Sequence, residues 1–128
     1  MTFVLDASAA LAVILAEDGA ELVLENMTDA HLSAVNMSET MTKLIEYGLT
    51  VEQARRQIDR LELNIHEFDA EQAVGAAALR KATKRLDLSL GDRACLALGR
   101  VLGLPVLTAD QRMAESMDII GIDIRMIR

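Results

Sequence analysis

The sequence contains very few cysteine, proline and aromatic residues. Cys95 and Pro105 are the only residues of their types, tryptophan is absent, and aromatic residues make up 2% of the chain. A single cysteine excludes an intrachain disulfide, and the chain has no Cys/His cluster of the kind that binds zinc. Because Cys95 lies in an apolar helical pattern, we expect an inert buried thiol. The presence of only one cysteine also indicates a reducing compartment, and we expect a cytoplasmic protein.

A long hydrophobic run is also missing. The apolar stretch 3–16 is shorter than the roughly 20 residues that a membrane-spanning helix requires, contains Asp6 and has no basic leader. We therefore expect neither a signal peptide nor a membrane anchor. The 128 residues correspond to one domain, 1–128, which is large enough to bury a core without disulfides.

Positive charge is scarce as well. Thirteen Lys and Arg residues against 20 Asp and Glu residues give a formal net charge of −7. This balance argues against a general nucleic-acid coat protein, which needs a basic surface. It does not exclude an enzyme that acts on nucleic acid through metal ions, because divalent cations held by clustered carboxylates would invert the local field.

Short apolar runs alternate with longer helical patterns along the chain. This alternation predicts strands at 2–5, 31–35, 64–68, 105–108 and 122–126. It predicts helices at 7–15, 18–27, 36–47, 50–61, 69–85 and 89–102, with a short helix before the last strand. Strands that alternate with helices form a parallel sheet covered on both faces. The expected fold is therefore a three-layer α/β/α sandwich with a central, mostly parallel sheet.

Four acidic residues fall at the expected carboxyl edge of this sheet, where open α/β sheets bind ligands. They are Asp6 after the first strand, Glu39 beyond the second, Asp92 in the first turn of an apolar helix, and Asp110 after the fourth strand. Carboxylates gathered there would repel one another unless cations neutralised them, and Mg²⁺ prefers oxygen ligands. Two ions roughly 4 Å apart could activate water and stabilise the leaving oxygen in phosphodiester hydrolysis.

Each of these acids also has a structural interpretation as a helix cap. Asp6 and Asp110 could be N-caps, because each directly precedes a predicted helix. The two others lie in patterns that have the form of a capping box, Asn36-x-x-Glu39 and Ser89-x-x-Asp92. If capping is their only role, the chain is a non-catalytic α/β interaction module.

Other chemistries receive less support from the sequence. His31 begins a strand and His66 lies in a peripheral strand, so we expect both histidines to be structural or exposed rather than part of a Ser/His/Asp arrangement. A phosphatase or receiver-like domain would need a lysine near the last strand. No lysine follows Lys84, which counts against that class.

Four motifs resemble those of PIN-domain ribonucleases, in family order and over essentially the whole chain. Residues 3–9, Phe-Val-Leu-Asp-Ala-Ser-Ala, resemble the opening motif of the family. Residues 88–97, Leu-Ser-Leu-Gly-Asp-Arg-Ala-Cys-Leu-Ala, are similar to the most recognisable stretch of its VapC-like branch. Ser38-Glu39 and Leu107-Thr108-Ala109-Asp110 resemble the remaining acidic motifs. One departure is Gln111-Arg112-Met113, since many relatives carry an aromatic residue shortly after the last aspartate.

This resemblance implies a PIN-like fold and an endoribonuclease supported by Mg²⁺ or Mn²⁺. The catalytic, metal-binding residues would be Asp6, Glu39, Asp92 and Asp110, assisted by the polar residues Ser8 and Thr108. It further implies a homodimeric, growth-inhibiting toxin of a type II toxin–antitoxin system, which cuts structured RNA and is neutralised by a cognate antitoxin. Apolar stretches at 10–16 and 44–49 are candidates for the partner interface.

Several basic residues are candidate RNA contacts. A basic patch late in the predicted 69–85 helix could bind phosphates, although cations are also favoured at helix C-termini. Its members are Arg80, Lys81, Lys84 and Arg85. Arg93 could approach substrate phosphate or pair with a neighbouring carboxylate. We expect a solvated face instead for Arg55, Arg56 and Arg60 on the predicted 50–61 helix.

Overall fold

The computed structural model describes residues 1–128, in which five short strands form one sheet. The strands are β1 (Val4–Leu5), β2 (His31–Ser33), β3 (Asn64–His66), β4 (Val106–Thr108) and β5 (Ile124–Met126). They lie in the order β3-β2-β1-β4-β5, and every neighbouring pair is parallel. The predicted sheet is confirmed, with β3 at one edge and no antiparallel strand.

Nine α-helices and one 3₁₀ helix connect these strands. The α-helices are α1 (Ala7–Ile14), α2 (Ala20–Glu25), α3 (Ala34–Glu46), α4 (Val51–Asp59), α5 (Ala70–Ala78), α6 (Arg80–Thr83), α7 (Leu90–Leu102), α8 (Gln111–Glu115) and α9 (Met117–Ile120), and the 3₁₀ helix spans Lys84–Leu86. None of these helices combines the length and apolarity that crossing a membrane requires.

The predicted 69–85 helix is divided into α5, α6 and the 3₁₀ helix. The buried Thr83 hydroxyl donates 2.8 Å to the carbonyl oxygen of Leu79, and such bonds bend helices. The 3₁₀ helix then ends at Asp87, which has a left-handed backbone with φ of 50°. The basic patch therefore lies on two short turns rather than at the end of one long helix.

Alternate residues of the central strands point to opposite faces of the sheet, where each face has its own apolar core. Val4 and Val106 join a cluster formed with α7 and the C-terminal helices. Their neighbours Leu5 and Leu107 join a second cluster, which includes Ala9 of α1. Helices cover both faces, so the three-layer α/β/α prediction is confirmed.

Helix caps fix the chain at the carboxyl edge of the sheet. Asp6 is the N-cap of α1, Asp110 is the N-cap of α8, and Ser89 forms the predicted capping box of α7 with Asp92. The proposed Asn36-x-x-Glu39 box is wrong, because α3 begins two residues earlier than predicted and Ser33 caps it instead. This start places Asn36 inside the first turn of α3.

Candidate metal centre

Asp6 is a buried carboxylate held by three donors. Only 5% of the residue is exposed, directly after β1. Its Oδ1 accepts hydrogen bonds from Ser8 Oγ at 2.6 Å and from the Ala9 N–H at 2.9 Å. Its Oδ2 accepts one from Thr108 Oγ1 at 2.5 Å. Because β1 and β4 pair in parallel, the residue after β1 lies beside the last residue of β4.

The Thr108 hydroxyl joins Asp6 to the backbone of Asp110. It accepts a hydrogen bond from the Asp110 N–H at 2.9 Å while it donates to Asp6. The carboxylate of Asp110 is turned towards α8, where Oδ1 accepts from the Arg112 N–H at 2.8 Å and Oδ2 lies 3.5 Å from Arg112 Nη2. The structure thus brings the backbone of Asp110 to the centre, whereas its charge is paired with Arg112.

Glu39 and Asp92 lie close together on α3 and α7, two helices that pack against each other. Asp92 Oδ2 accepts from the Ser89 N–H at 2.9 Å, and Glu39 Oε1 accepts from Asn36 Nδ2 at 2.8 Å. These bonds leave Asp92 Oδ1 and Glu39 Oε2 without a protein donor. Each carboxylate therefore has one oxygen that accepts no hydrogen bond from the protein.

Burial and mutual repulsion raise the pKa values of two of these acids. Burial raises the pKa of Asp6 from 3.8 to about 6, with a smaller contribution from the charge of Asp92; hydrogen bonds from Ser8, Thr108 and Ala9 oppose the rise. Burial also raises the pKa of Glu39, again reinforced by Asp92 and opposed by its hydrogen bond from Asn36. No lysine or arginine contributes to either shift, so neither pKa is lowered by a cationic side chain.

The Cys95 thiol lies beneath the same acids. Its side chain is fully buried, and Sγ lies 3.7 Å from the carbonyl oxygen of Leu5. Burial raises its pKa well above the ordinary value, and the charges of Asp6, Asp92 and Glu39 raise it further. The predicted buried thiol is confirmed, and the acids whose charges raise its pKa come from three segments of the chain.

The donor set has the chemistry that a hard divalent cation requires. Asp6, Glu39 and Asp92 offer only oxygen atoms, which Mg²⁺ and Mn²⁺ prefer, and a cation would relieve their repulsion. No three acidic, histidine or cysteine side chains are already arranged to hold an ion. The reason is local, because the capping bonds hold the carboxylates of Asp92 and Asp110 towards their own helices. Binding an ion would require those two carboxylates to turn.

Part of the basic patch lines a groove of about 690 Å³ between α6, the 3₁₀ helix and α9. The cationic residues of this basic groove are Lys81, Lys84 and Arg85, beside Leu86 and Ile119. Arg80 does not line it and instead pairs with Asp87 at 3.5 Å. The groove is therefore the part of the predicted patch that forms a concave cationic surface.

Arg93 reaches neither a carboxylate nor the basic groove. Its Nη1 donates to the carbonyl oxygen of Ala76 at 3.1 Å and its Nε to that of Leu88 at 3.4 Å. The guanidinium thus joins α7 to α5 and to the segment before α7. Of the two alternatives left open by the sequence, pairing with a carboxylate is absent, and RNA contact by Arg93 stays a prediction.

A second groove, of about 370 Å³, begins at the acids and runs between α1 and α3. This α1–α3 groove is lined by Ser8 and Glu39 at the centre and continues to Thr42, Lys43 and Glu46. It lies between the two segments whose apolar stretches the sequence marked as an interface.

The two histidines form a pair on the opposite side of β2 from β1. His31 Nδ1 and His66 Nε2 are 2.7 Å apart, across the β2–β3 pairing. Burial and the charge of His66 lower the pKa of His31. One nitrogen of each ring is thus bonded to the other ring, which agrees with the structural role expected for them.

Sequence reasoning did not identify Asn36 as part of this centre. Its side chain is 1% exposed and donates both to Glu39 and to the Gly91 carbonyl oxygen. The only signal in the sequence was the position of Asn36 one helical turn before Glu39, and that spacing had been interpreted as a capping box.

Comparison with known proteins identifies relatives of this fold. The family model for the PIN domain matches residues 3–117. Similar solved structures include a DNA-bound VapBC complex from Salmonella typhimurium, with a TM-score of 0.77, 20% identity and coverage of 100% of this chain and 99% of that one. A toxin–antitoxin complex from Klebsiella pneumoniae gives 0.72, 21% identity and 98% coverage of both chains.

A third similar structure is Mycobacterium tuberculosis VapC20, described as a toxin that cleaves the sarcin–ricin loop. It has a TM-score of 0.75, 16% identity and coverage of 89% of this chain and 94% of that one. At these identities the matches show a shared fold. A sequence search of curated proteins finds no match.

Proposed function

Because this chain belongs to the PIN-domain family, we propose that it is a ribonuclease that hydrolyses RNA phosphodiester bonds with Mg²⁺ or Mn²⁺ as cofactor. The observation that carries the proposal is the group of carboxylates Asp6, Glu39 and Asp92, in which the charge of Asp92 raises the pKa values of both other acids and no cationic side chain contributes to either shift. Asp110, joined to Asp6 through the Thr108 hydroxyl, would complete the metal-binding set.

The residues around Asp6 prepare it to bind a cation. Ser8, Thr108 and the Ala9 N–H fix the orientation of its carboxylate, and their hydrogen bonds favour the charged form against the effect of burial. A divalent cation bound there would lower the pKa of attacking water and stabilise the leaving oxygen. Hydrolysis by a metal-activated water would need no protein nucleophile. This agrees with the burial of Cys95 and with the position of the histidine pair beyond β2.

The basic groove is the surface we propose for the RNA backbone. The 3₁₀ helix that lines it is followed closely by Ser89, the N-cap of the helix that carries Asp92, and α8 packs against the same 3₁₀ helix. Phosphates bound by Lys81, Lys84 and Arg85 would orient the strand next to the acidic centre without reading its sequence. The overall charge of −7 would limit binding elsewhere on the surface.

We also propose that the chain is a growth-inhibiting, cytoplasmic toxin neutralised by an antitoxin and active as a homodimer. One of the similar structures is described as a toxin–antitoxin complex, and another as a DNA-bound VapBC complex. In this chain, exposed apolar side chains lie on the helices that form or adjoin the α1–α3 groove, among them Leu15, Leu24, Tyr47 and Val51. A partner segment bound in that groove would end at Ser8 and Glu39, where it would block the centre.

Cleavage of a structured RNA tests the proposed activity. We expect the purified chain to cut a pool of transfer RNAs in Mn²⁺ or Mg²⁺, and EDTA or Asp92→Asn to abolish the cutting. Asp69→Asn is the matched control, because Asp69 caps α5 in the same way but is exposed and distant in sequence from the other acids. Cleavage that survives EDTA, or that Asp92→Asn leaves intact, would contradict metal-dependent catalysis by this centre. No cleavage of any structured RNA would favour the interaction module.

A further inference from the structure

Asn36 connects two helices that carry acids of the proposed metal centre. Its Nδ2 donates to Glu39 Oε1 at 2.8 Å, within α3, and to the carbonyl oxygen of Gly91 at 3.0 Å, in the first turn of α7. Both partners are acceptors, so the nitrogen of the amide must face them and the orientation of the group is determined. Glu39 is thereby held against the turn that contains Asp92.

The other half of the same amide has no partner. Asn36 is 1% exposed, and its Oδ1 is buried without a protein donor. Buried acceptors of this kind are rare, because an unpaired polar atom costs free energy. This oxygen belongs to the same amide group whose nitrogen donates to Glu39.

Gly91 provides the space into which Glu39 fits. A Cβ at this position would overlap both carboxylate oxygens of Glu39, well inside van der Waals contact. Gly91 lies within α7, where an alanine would otherwise be favoured. The absence of a side chain at Gly91 therefore leaves room for the Glu39 carboxylate in the position where Asn36 holds it.

We propose that Asn36 is a positioning residue for the metal centre, whose Nδ2 fixes Glu39 against the first turn of α7 and so orients that carboxylate for a divalent cation. This inference rests on the proposed function. Asn36 does not bind the cation itself, and it acts through Glu39. Gly91 has the complementary role of leaving room for the carboxylate.

The competing explanation is that Asn36 only holds α3 and α7 together. Thr40 provides the comparison, because it is equally buried, lies one turn further along α3 and donates its hydroxyl only to the Asn36 carbonyl oxygen, at 2.8 Å. Thr40→Val removes a buried hydrogen bond from the same helix without touching a carboxylate. The Thr40→Val variant therefore measures how much the loss of a structural hydrogen bond in α3 changes Mn²⁺ affinity.

The test is the Mn²⁺ dissociation constant of the purified chain, measured by titration calorimetry well below the melting temperature of each variant. We expect Asn36→Leu to weaken Mn²⁺ binding about tenfold or more, the scale typical for loss of a partner that orients a ligand. Thr40→Val should melt earlier but bind Mn²⁺ as the wild type does. Equal Mn²⁺ affinities for Asn36→Leu and Thr40→Val would overturn the proposal.

Gly91→Ala keeps the test decisive should Asn36→Leu not fold. Its new methyl group meets the end of a flexible side chain, so Glu39 can move aside and the fold should survive. We expect an unchanged or higher melting temperature together with weaker Mn²⁺ binding, whereas unchanged binding would refute the positioning role. Absence of Mn²⁺ binding by the wild type would overturn the proposed function as well, so the two failures are distinguishable.

Discussion

Replacement of Asp6 by asparagine should stabilise the metal-free protein at neutral and alkaline pH. In the folded state the pKa of Asp6 is raised from 3.8 to about 6, so folding penalises its charged form. Below pH 4 the penalty is absent, between about pH 4 and 6 it grows, and above pH 6 it is complete. At 1.36 kcal/mol per pKa unit, the charge costs about 3 kcal/mol of unfolding free energy at pH 8.

The asparagine side chain introduced by Asp6→Asn would avoid this cost, because its amide is uncharged and has nearly the same shape as the carboxylate. The new NH₂ group must be accepted by the Thr108 hydroxyl, which now donates to Asp6, and this rearrangement offsets about 1 kcal/mol. A net gain of about 1–3 kcal/mol at pH 8 is therefore expected, with no gain near pH 4.

Urea unfolding in EDTA at both pH values measures this difference directly. Asp69→Asn is the control, because asparagine caps helices as well as aspartate and Asp69 is exposed. Added Mn²⁺ should stabilise the wild type at pH 8 and leave Asp6→Asn unchanged, since only the wild type binds the cation. If Asp6→Asn is less stable than the wild type by the same amount at both pH values, the carboxylate carries no burial penalty and the reasoning fails.

Three further predictions concern the surroundings of the centre. Thr108→Val removes a hydrogen bond that lowers the pKa of Asp6, so Mn²⁺ binding followed across a pH series should shift to higher pH; an unchanged profile would show that the hydroxyl does not tune Asp6. Replacing Lys81, Lys84 and Arg85 of the basic groove by glutamate should raise the KM for RNA and flatten the salt dependence of that KM. The same replacement of Arg55, Arg56 and Arg60 should have little effect on the KM. Cys95 should react with a thiol reagent only after unfolding, since it is fully buried with a raised pKa, and fast labelling of the native chain would contradict that placement.

Much of the fold could be predicted because local signals and the tertiary structure agree. Apolar runs separated by helical patterns predict a parallel α/β sheet, and that topology alone places Asp6, Thr108 and the start of α3 at one edge. The capping residues were equally readable, since Asp6, Asp110 and the Ser89 box lie where short polar side chains precede helices. Capping and metal binding are therefore compatible roles, and the caps explain why these acids lie at helix starts.

The errors arose where a tertiary contact overrides a local pattern. Thr83 is buried where α6 packs against α9, and the helix that periodicity alone would continue is interrupted there. For Arg93 the sequence left two partners open, and the structure shows a third kind, the carbonyl oxygens of neighbouring segments. The contact of Asn36 with Gly91 joins residues 55 positions apart, and no spacing rule in a single sequence reveals such a pair.

The central claim is that acids from separate segments share a divalent cation, and anomalous diffraction from crystals grown with Mn²⁺ tests it most directly. We predict an anomalous peak at the carboxyl edge of the sheet, within coordination distance of Asp6 and of at least one of Glu39, Asp92 and Asp110. In that structure the carboxylate of Asp92 should have turned away from the Ser89 N–H. If crystals grown at a saturating Mn²⁺ concentration show no anomalous peak beside Asp6, the account is contradicted.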